Sequence, residues 1–288
     1  MPTFSVVIVN YNYGRYLEQA IRSILEQSYK SFELIVIDGG SKDNSLEVIE
    51  KYSKQISWWI SEKDKGQSDA LNKGFSKAIG DYFLWVNADD LLLPGALAAA
   101  AHELELHPDC KWLTADTVLF DSKGKIYRCL YGGHWNTWLM KKTYITNIIN
   151  APSSIFHHTL FEKVGGFDPD LHYVMDFDLW IKFVDSGARF QKLRYFIWCF
   201  RIHDGSKTNN EIGCLPNENT IQEAAKVISR ANRKRMWAEL FLLRIFKILT
   251  GTHFHTLYDT WRWRGKPIER MINFLSFSKI KKESDLFK

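Results

Sequence analysis

The apolar run Leu84-Trp85-Val86 stops at Asn87-Ala88-Asp89-Asp90, so two adjacent carboxylates stand at the end of a strand that reads as buried. Hard anionic oxygens in that position suit Mg2+ or Mn2+, ions that bridge protein carboxylates to phosphates. The same residues also describe a strand end with two solvated acids ahead of a helix beginning near Pro94, and on this segment alone both readings stand. A second acid-bearing turn is Asp38-Gly39-Gly40-Ser41-Lys42-Asp43-Asn44-Ser45. Its glycines allow close backbone approach to a ligand, and an acid at a strand tip can accept hydrogen bonds from a base or a ribose. A left-handed turn with an Asx cap accounts for the same residues. No GxGxxG fingerprint is present, which argues against a dinucleotide-binding domain.

These turns need a scaffold, and the chain supplies one. Phe4 to Val9, Phe32 to Ile37, Ile56 to Ile60 and Tyr82 to Val86 read as strands, the first two nearly continuous in apolar residues. Between them, Tyr16, Leu17, Ala20, Ile21, Ile24 and Leu25 recur at helical spacing, Asn44 or Ser45 can cap a short helix, and Ser68 to Ile79 predicts a third. Strands alternating with helices predict an α/β fold with a mostly parallel central sheet and right-handed crossovers. Ligands of such sheets bind outside the carboxyl ends of the strands. Those ends are Asn10-Tyr11-Asn12, Asp38-Gly39-Gly40, Ser61 to Gly66 and Asn87 to Asp90, so polar and acidic residues gather on one edge.

After Pro94 the pattern changes. A helix from Gly95 to about His107 leads to strand-like pieces around a turn at Asp121-Ser122-Lys123-Gly124, and Trp135 to Asn150 has no clear period. Phe177, Leu179, Trp180, Phe183 and Val184 predict a helix beginning near Asp176, for which that aspartate can also serve as N-cap. Arg194 to Ile202 predicts an aromatic-rich strand. The adjacent His157 and His158 fit either an acceptor side or a purely structural place.

Composition narrows the class. The chain has 288 residues, 45% hydrophobic and 25% charged, as an ordinary globular protein does. Its four cysteines show no C-x-x-C spacing, which disfavours a thiol metal site and favours a reduced, cytoplasmic setting. No basic-then-apolar leader is visible at Met1, and no window approaches the ~18 apolar residues of a spanning helix. Charge is uneven: residues 1–225 carry 23 Lys/Arg against 28 Asp/Glu, whereas residues 226–288 carry 15 against 5. A basic tail points to an anionic partner.

The segments Ser5 to Asn12, Asp38 to Asp43, Asp69-Ala70-Leu71-Asn72-Lys73-Gly74 and Asn87-Ala88-Asp89-Asp90, taken in order, resemble the family 2 inverting glycosyltransferases of the GT-A fold. The likeness continues through Phe161-Glu162-Lys163-Val164-Gly165-Gly166-Phe167-Asp168 and Asp176-Phe177-Asp178-Leu179-Trp180, and covers roughly residues 3–210. It implies a nucleotide-diphosphate sugar as donor, Mn2+ or Mg2+ as cofactor, and an acceptor hydroxyl, in bacterial members often on a cell-surface polysaccharide. By the same resemblance Tyr11 and Asp38 would line the base and ribose pocket, and Asp64, Gln67 and Asp69 would lie on the loop that closes over the donor. Asp89 and Asp90 would meet the metal and diphosphate, His203 would stand near them as a further metal ligand, and Asp176 would be the general base. Three positions depart from the family pattern: Gly39 replaces a second acid, Asn87 the first acid of D-x-D, and Met175 a glutamate.

The expected organisation is a catalytic domain over residues 1–215 and a basic amphipathic helical extension over 216–288. In the extension, Met236 to Ile248 and Trp261 to Leu275 set apolar and aromatic residues at helical spacings among Lys and Arg. Such helices suit an anionic membrane surface, here the inner face of the cell membrane, and so a lipid-linked saccharide as acceptor. Packing of the extension onto the catalytic domain or a second subunit is the alternative; nucleic acid is disfavoured, since no binding motif accompanies the charge. Two rival functions are a catalytically silent scaffold of the same fold and a sugar-phosphate nucleotidyltransferase. The latter needs a glycine-rich basic loop after the first strand, which Asn10-Tyr11-Asn12-Tyr13-Gly14-Arg15 does not provide.

Overall fold

The computed structural model describes residues 1–131, 153–206, 218–231 and 252–273. Strand β1 (Phe4–Asn10) is buried along its whole length, as its apolar run requires of a strand covered on both faces. It lies between two parallel neighbours, β2 (Phe32–Asp38) and β4 (Tyr82–Asn87), and β3 (Trp58–Ser61) adds in parallel to β2. Helices α1 (Gly14–Leu25) and α2 (Ser45–Tyr52) step outward from β1 to β3, and α3 (Gln67–Phe75) returns to β4. Right-handed crossovers therefore put α1 and α2 on one face and α3 on the other. The register sets Asn10 opposite Asp38, Asp38 opposite Ser61 and Val9 opposite Asn87, so four strands end on one edge. Helix α3 stops short of the expected Ile79. There the chain turns into β4, with the Ile79 N–H donating to Glu33 Oε1 and the Gly80 N–H to Ser5 Oγ.

Beyond β4 the sheet becomes mixed. β8 (Ser154–His157) runs antiparallel to β4, β6 (Trp112–Asp121) antiparallel to β8, and β9 (Gln191–Ile202) parallel to β6. β5 (Leu91–Leu92) closes the row against β9, and β7 (Ile126–Leu130) forms a hairpin with β6 across the turn expected at Asp121 to Gly124. The described helices of this half are α4 (Ala96–Leu106), α5 (His158–Lys163), α6 (Met175–Asp185), α7 (Glu218–Arg230) and α8 (Thr252–Trp263).

Two packing features fix the site. Trp180 of α6 stacks on Trp112 at 5.3 Å and on Trp85 at 6.0 Å between ring centroids, and all three indoles are buried. This anchors α6 against both β4 and β6. The second feature lies beyond residue 216, where the extension was expected. Ala224 and Val227 of α7 belong to the main core, and Trp263, Ile268 and Met271 close a smaller core over Val118, Ile126 and Cys129. Packing thus continues across the expected boundary. The apolar spacings from Met236 to Ile248 and at Phe274-Leu275, and the loop Trp135 to Asn150, lie outside the described residues. Among the described residues no helix is long and apolar enough to cross a membrane.

Candidate active site

Asp38 ends β2 with no exposed surface, and five donors fill its carboxylate. Oδ1 accepts from Asn10 Nδ2 at 2.6 Å and Ser41 Oγ at 2.5 Å; Oδ2 accepts from Gly40 N–H at 3.2 Å, Ser41 N–H at 2.9 Å and Ser61 Oγ at 2.6 Å. A buried carboxylate needs such partners. Its oxygens tie three strand ends together at the place expected for the base and ribose pocket. Asn12 completes the latch in the left-handed region, φ 58°, accepting from Lys42 N–H at its Oδ1 and donating its own N–H to Ser41 Oγ.

Next to this latch lie further residues of the expected nucleotide-binding set. Tyr11 is 60% exposed. A Cβ on Gly39 would stand 2.7 Å from Asp64 Oδ2 and 3.2 Å from the Tyr11 ring, so the glycine backbone lies close to both. Burial pushes the Asp64 carboxyl up from its ordinary range. Its Oδ1 accepts the N–H of Gly66, whose φ of 116° only glycine adopts without strain. Asp69 reaches back from the first turn of α3 to the Lys65 N–H at 3.1 Å, closing the same loop.

The second half of the site is a chain of polar contacts. Gln67 Nε2 donates to Asn87 Oδ1 at 2.8 Å, and Asn87 Nδ2 donates to Asp90 Oδ2 at 2.9 Å. Asp90 Oδ1 accepts the Arg201 N–H at 2.9 Å. Asp90 is wholly buried, and burial, followed by the neighbouring Asp89 charge, holds its carboxyl well above the usual range. Facing inward beside the expected metal and diphosphate site, Asp90 shapes the turn that presents Asp89. Arg201 clamps that turn from the other side. Its Nε donates to the Asp89 carbonyl and an Nη to Gln19 Oε1, while the guanidinium sits 4.5 Å from the Tyr16 ring centroid and 4.4 Å from that of Phe120.

His203 lies against Asp89, Nε2 to Oδ2 at 3.0 Å. Its Nδ1 accepts the Gly205 N–H at 3.1 Å and faces the Arg15 guanidinium at 3.4 Å. An imidazole that accepts at Nδ1 carries its proton on Nε2, and here that proton points at Asp89. The expected metal ligand His203 thus stands directly beside Asp89, the acid expected at the metal and diphosphate. In this arrangement it orients Asp89. Tyr13 and Tyr16 pack on the imidazole, and burial, then the charge of Asp89, pushes the Tyr13 hydroxyl up to about 12.

Asp176 is half-buried in the first turn of α6, which begins one residue earlier than expected, at Met175. Its Oδ1 accepts the Phe177 N–H at 2.8 Å, and a carboxylate there is favoured by the helix dipole. Ser68, next to Gln67, donates to the Leu171 carbonyl at 2.7 Å and contacts Met175 Sδ at 3.1 Å. The start of α3 thus touches the turn of Asn87 to Asp90 through Gln67 and the entrance of the Asp176 helix through Ser68. Sequence reasoning did not single out Arg201, Gln19 or Arg15. An arginine inside the apolar strand Phe196 to Ile202 was the available signal for the first.

Among the described residues no cluster of three or more His, Cys, Asp or Glu side chains converges to hold a metal. A divalent ion that takes most of its oxygens from a diphosphate and water needs only one or two protein carboxylates. Asp89 supplies one, so the residues present fit such an ion.

The family model described as Glycosyl transferase family 2 matches residues 5–161. An uncharacterized glycosyltransferase of Rickettsia typhi is 30% identical over 222 residues, covering 74% of this chain and 68% of its own. One from Methanocaldococcus jannaschii is 27% identical, covering 70% and 71%. Among solved structures, S. aureus TarS 1-349 in complex with UDP-GlcNAc aligns with a TM-score of 0.61 at 18% identity, over 80% of this chain and 66% of that one. The mannosyltransferase PcManGT from Pyrobaculum calidifontis, in complex with GDP-Man and Mn2+, aligns at 0.55 and 17% identity, over 99% and 88%. At such identities these two show a shared fold, that of the GT-A glycosyltransferases. The family match spans more than half the chain, from β1 through the acid turn to α5, and on that ground the chain belongs to glycosyl transferase family 2.

Proposed function

We propose that the protein transfers a sugar, with inversion, from a nucleotide-diphosphate donor to a hydroxyl of a saccharide or lipid-linked saccharide in cell-surface polysaccharide synthesis. The observation that carries this reading is the junction at α3, where Gln67 and Ser68 join the Asp89 turn to the entrance of the Asp176 helix. The complexes of TarS with UDP-GlcNAc and of PcManGT with GDP-Man and Mn2+ support the donor class and the cation.

Tyr11, the Gly39 backbone and Asp64 would hold the base, with Asp64 in place of the acid absent at Gly39. Asp89, held by His203 and Arg201, would meet a Mn2+ or Mg2+ ion at the diphosphate. When bound, the ion offsets negative charge growing on the departing diphosphate. Asp176 takes the acceptor proton as oxygen bonds to the anomeric carbon and the bond to the diphosphate oxygen breaks on the opposite face. Entry of the nucleophile opposite the leaving group inverts the anomeric centre.

Helix α8 supports a membrane-side acceptor. Phe254, Leu257, Tyr258 and Trp261 are 54–79% exposed and share one face, opposite the buried Trp263. Exposed Arg264 and Arg270 follow them, within a tail whose basic excess complements an anionic bilayer. A thermal-shift panel of UDP, GDP and TDP and their sugars, with and without Mn2+, tests the donor reading. Stabilisation that requires both nucleotide and cation is expected, and its loss in Asp89→Ala. Nucleotide binding that ignores the cation would overturn the role of Asp89.

A further inference from the structure

Glu223 is a buried acid on α7, 9% exposed, and its carboxylate accepts from backbone N–H groups of the loop before α6. The N–H of His172 donates to both oxygens at 3.1 Å, that of Tyr173 to Oε2 at 2.7 Å and that of Val174 to Oε2 at 3.2 Å. These are three consecutive residues, and Val174 is the N-cap of the helix that carries Asp176. A buried carboxylate is tolerated only with such donors, and the donors are held in one conformation in return. At the other end of the same segment Arg230, also on α7, pairs with Asp168 Oδ2 at 2.5 Å. Ala224 and Val227, packed in the main core between these two polar residues, fix the helix that bears both.

The gripped segment also borders the donor loop. A Cβ on Gly66 would stand 3.1 Å from His172 Nδ1, and Ser68 donates to the Leu171 carbonyl. The path from 168 to 174 is thus pinned by α7 on one side and by the start of α3 on the other, one residue ahead of α6. We propose that Glu223 is a positioning residue for catalysis: it sets the entrance of α6 and thereby the aim of Asp176 at the acceptor hydroxyl. This rests on Asp176 being the base. A displacement of about 1 Å at a reacting group costs on the order of 100-fold in rate, so a lost grip at Glu223 reads out in kcat while the nucleotide end is untouched.

The test uses the full chain with Mn2+ and whichever of the UDP-, GDP- or TDP-sugars the wild type hydrolyses, water serving as acceptor. Glu223→Ala should lower kcat about 100-fold, with donor KM and the Kd for the nucleoside diphosphate within about 2-fold of wild type. Glu223→Gln, which keeps an oxygen acceptor, should recover to within about 10-fold of wild type, and Arg230→Ala should stay within about 2-fold. If Glu223→Ala does not fold, a several-fold fall in kcat at unchanged KM in Glu223→Gln carries the test, and wild-type kcat there overturns the proposal. Equal losses in kcat and nucleotide binding would also overturn it, as would an Arg230→Ala loss as large as that of Glu223→Ala. Asp176→Asn separates the two readings. An inactive Asp176→Asn beside a fully active Glu223→Ala rejects the positioning role alone, whereas an active Asp176→Asn rejects the base.

Discussion

The proposed nucleotide end and the proposed catalytic side of this molecule are built over different distances along the chain. Asp38, Asn10, Asn12, Ser41 and Ser61 meet across at most thirty-one positions and lock strand ends that follow one another in order. The Asp89 turn depends instead on Arg201 and His203, 112 and 114 positions away, and the entrance to α6 on Glu223, 51 positions beyond His172. A pocket made by neighbouring crossovers is largely finished when its strands pair. A side gathered from β9 and α7 depends on the whole fold, and at its α7 part, the entrance to α6, substitutions should change rate without changing donor affinity.

The sharpest test of that division is Asp176→Asn, which should lower kcat by about 1,000-fold or more while donor binding, by calorimetry, stays within about 2-fold. A matching loss of donor affinity would erase the division. Trp180→Ala, which opens the joint between α6 and both β4 and β6, should cost about 3–5 kcal/mol in chemical denaturation. On the nucleotide side, Gly39→Ala forces a methyl group toward Asp64 and the Tyr11 ring and should raise donor KM about 10-fold with kcat little changed. Leu257→Glu with Trp261→Glu should abolish flotation on anionic vesicles and leave hydrolysis of the donor intact. Flotation that persists, or a dimer that the double variant splits, would assign that face to another partner.

The smallest effect concerns pH. Burial would raise the Asp168 carboxyl, but its hydrogen bonds from Arg230 and the Asp170 N–H, with the arginine charge, outweigh burial and hold it below its ordinary value of 3.8. A depressed acid contributes stability above its unfolded pKa and loses it as pH falls through the folded one. Arg230→Ala should therefore cost stability at neutral pH, by a few tenths of a kcal/mol at most for a pair this exposed, and the difference from wild type should vanish as pH falls below about 4.

Legibility followed the same division. The four parallel strands, their order of polar ends and the acid turn were readable because buried parallel strands are apolar runs and their tips are polar. What sequence could not give was the direction in which each acid points. Asp38 and Asp90 read as ligands because they are acids at strand tips, yet each turns inward to satisfy backbone and amide donors. Asp89, between Ala88 and Asp90, is the one of the adjacent pair that keeps some exposure. The imidazole of His203 was visible as a residue, but its tautomer depends on the Gly205 N–H and so on the turn after β9. Glu223 carried no signal at all, because a glutamate on an amphipathic helix ordinarily faces water.

The grip of α7 on residues 172–174 has a consequence for how the protein is made. A nascent chain emerging from the ribosome completes its parallel strands and the Tyr11 cleft well before position 223 leaves the exit tunnel. On the proposed roles, the residues that would hold the base thus emerge before the residue that would aim Asp176, and translation orders the two by more than a hundred codons.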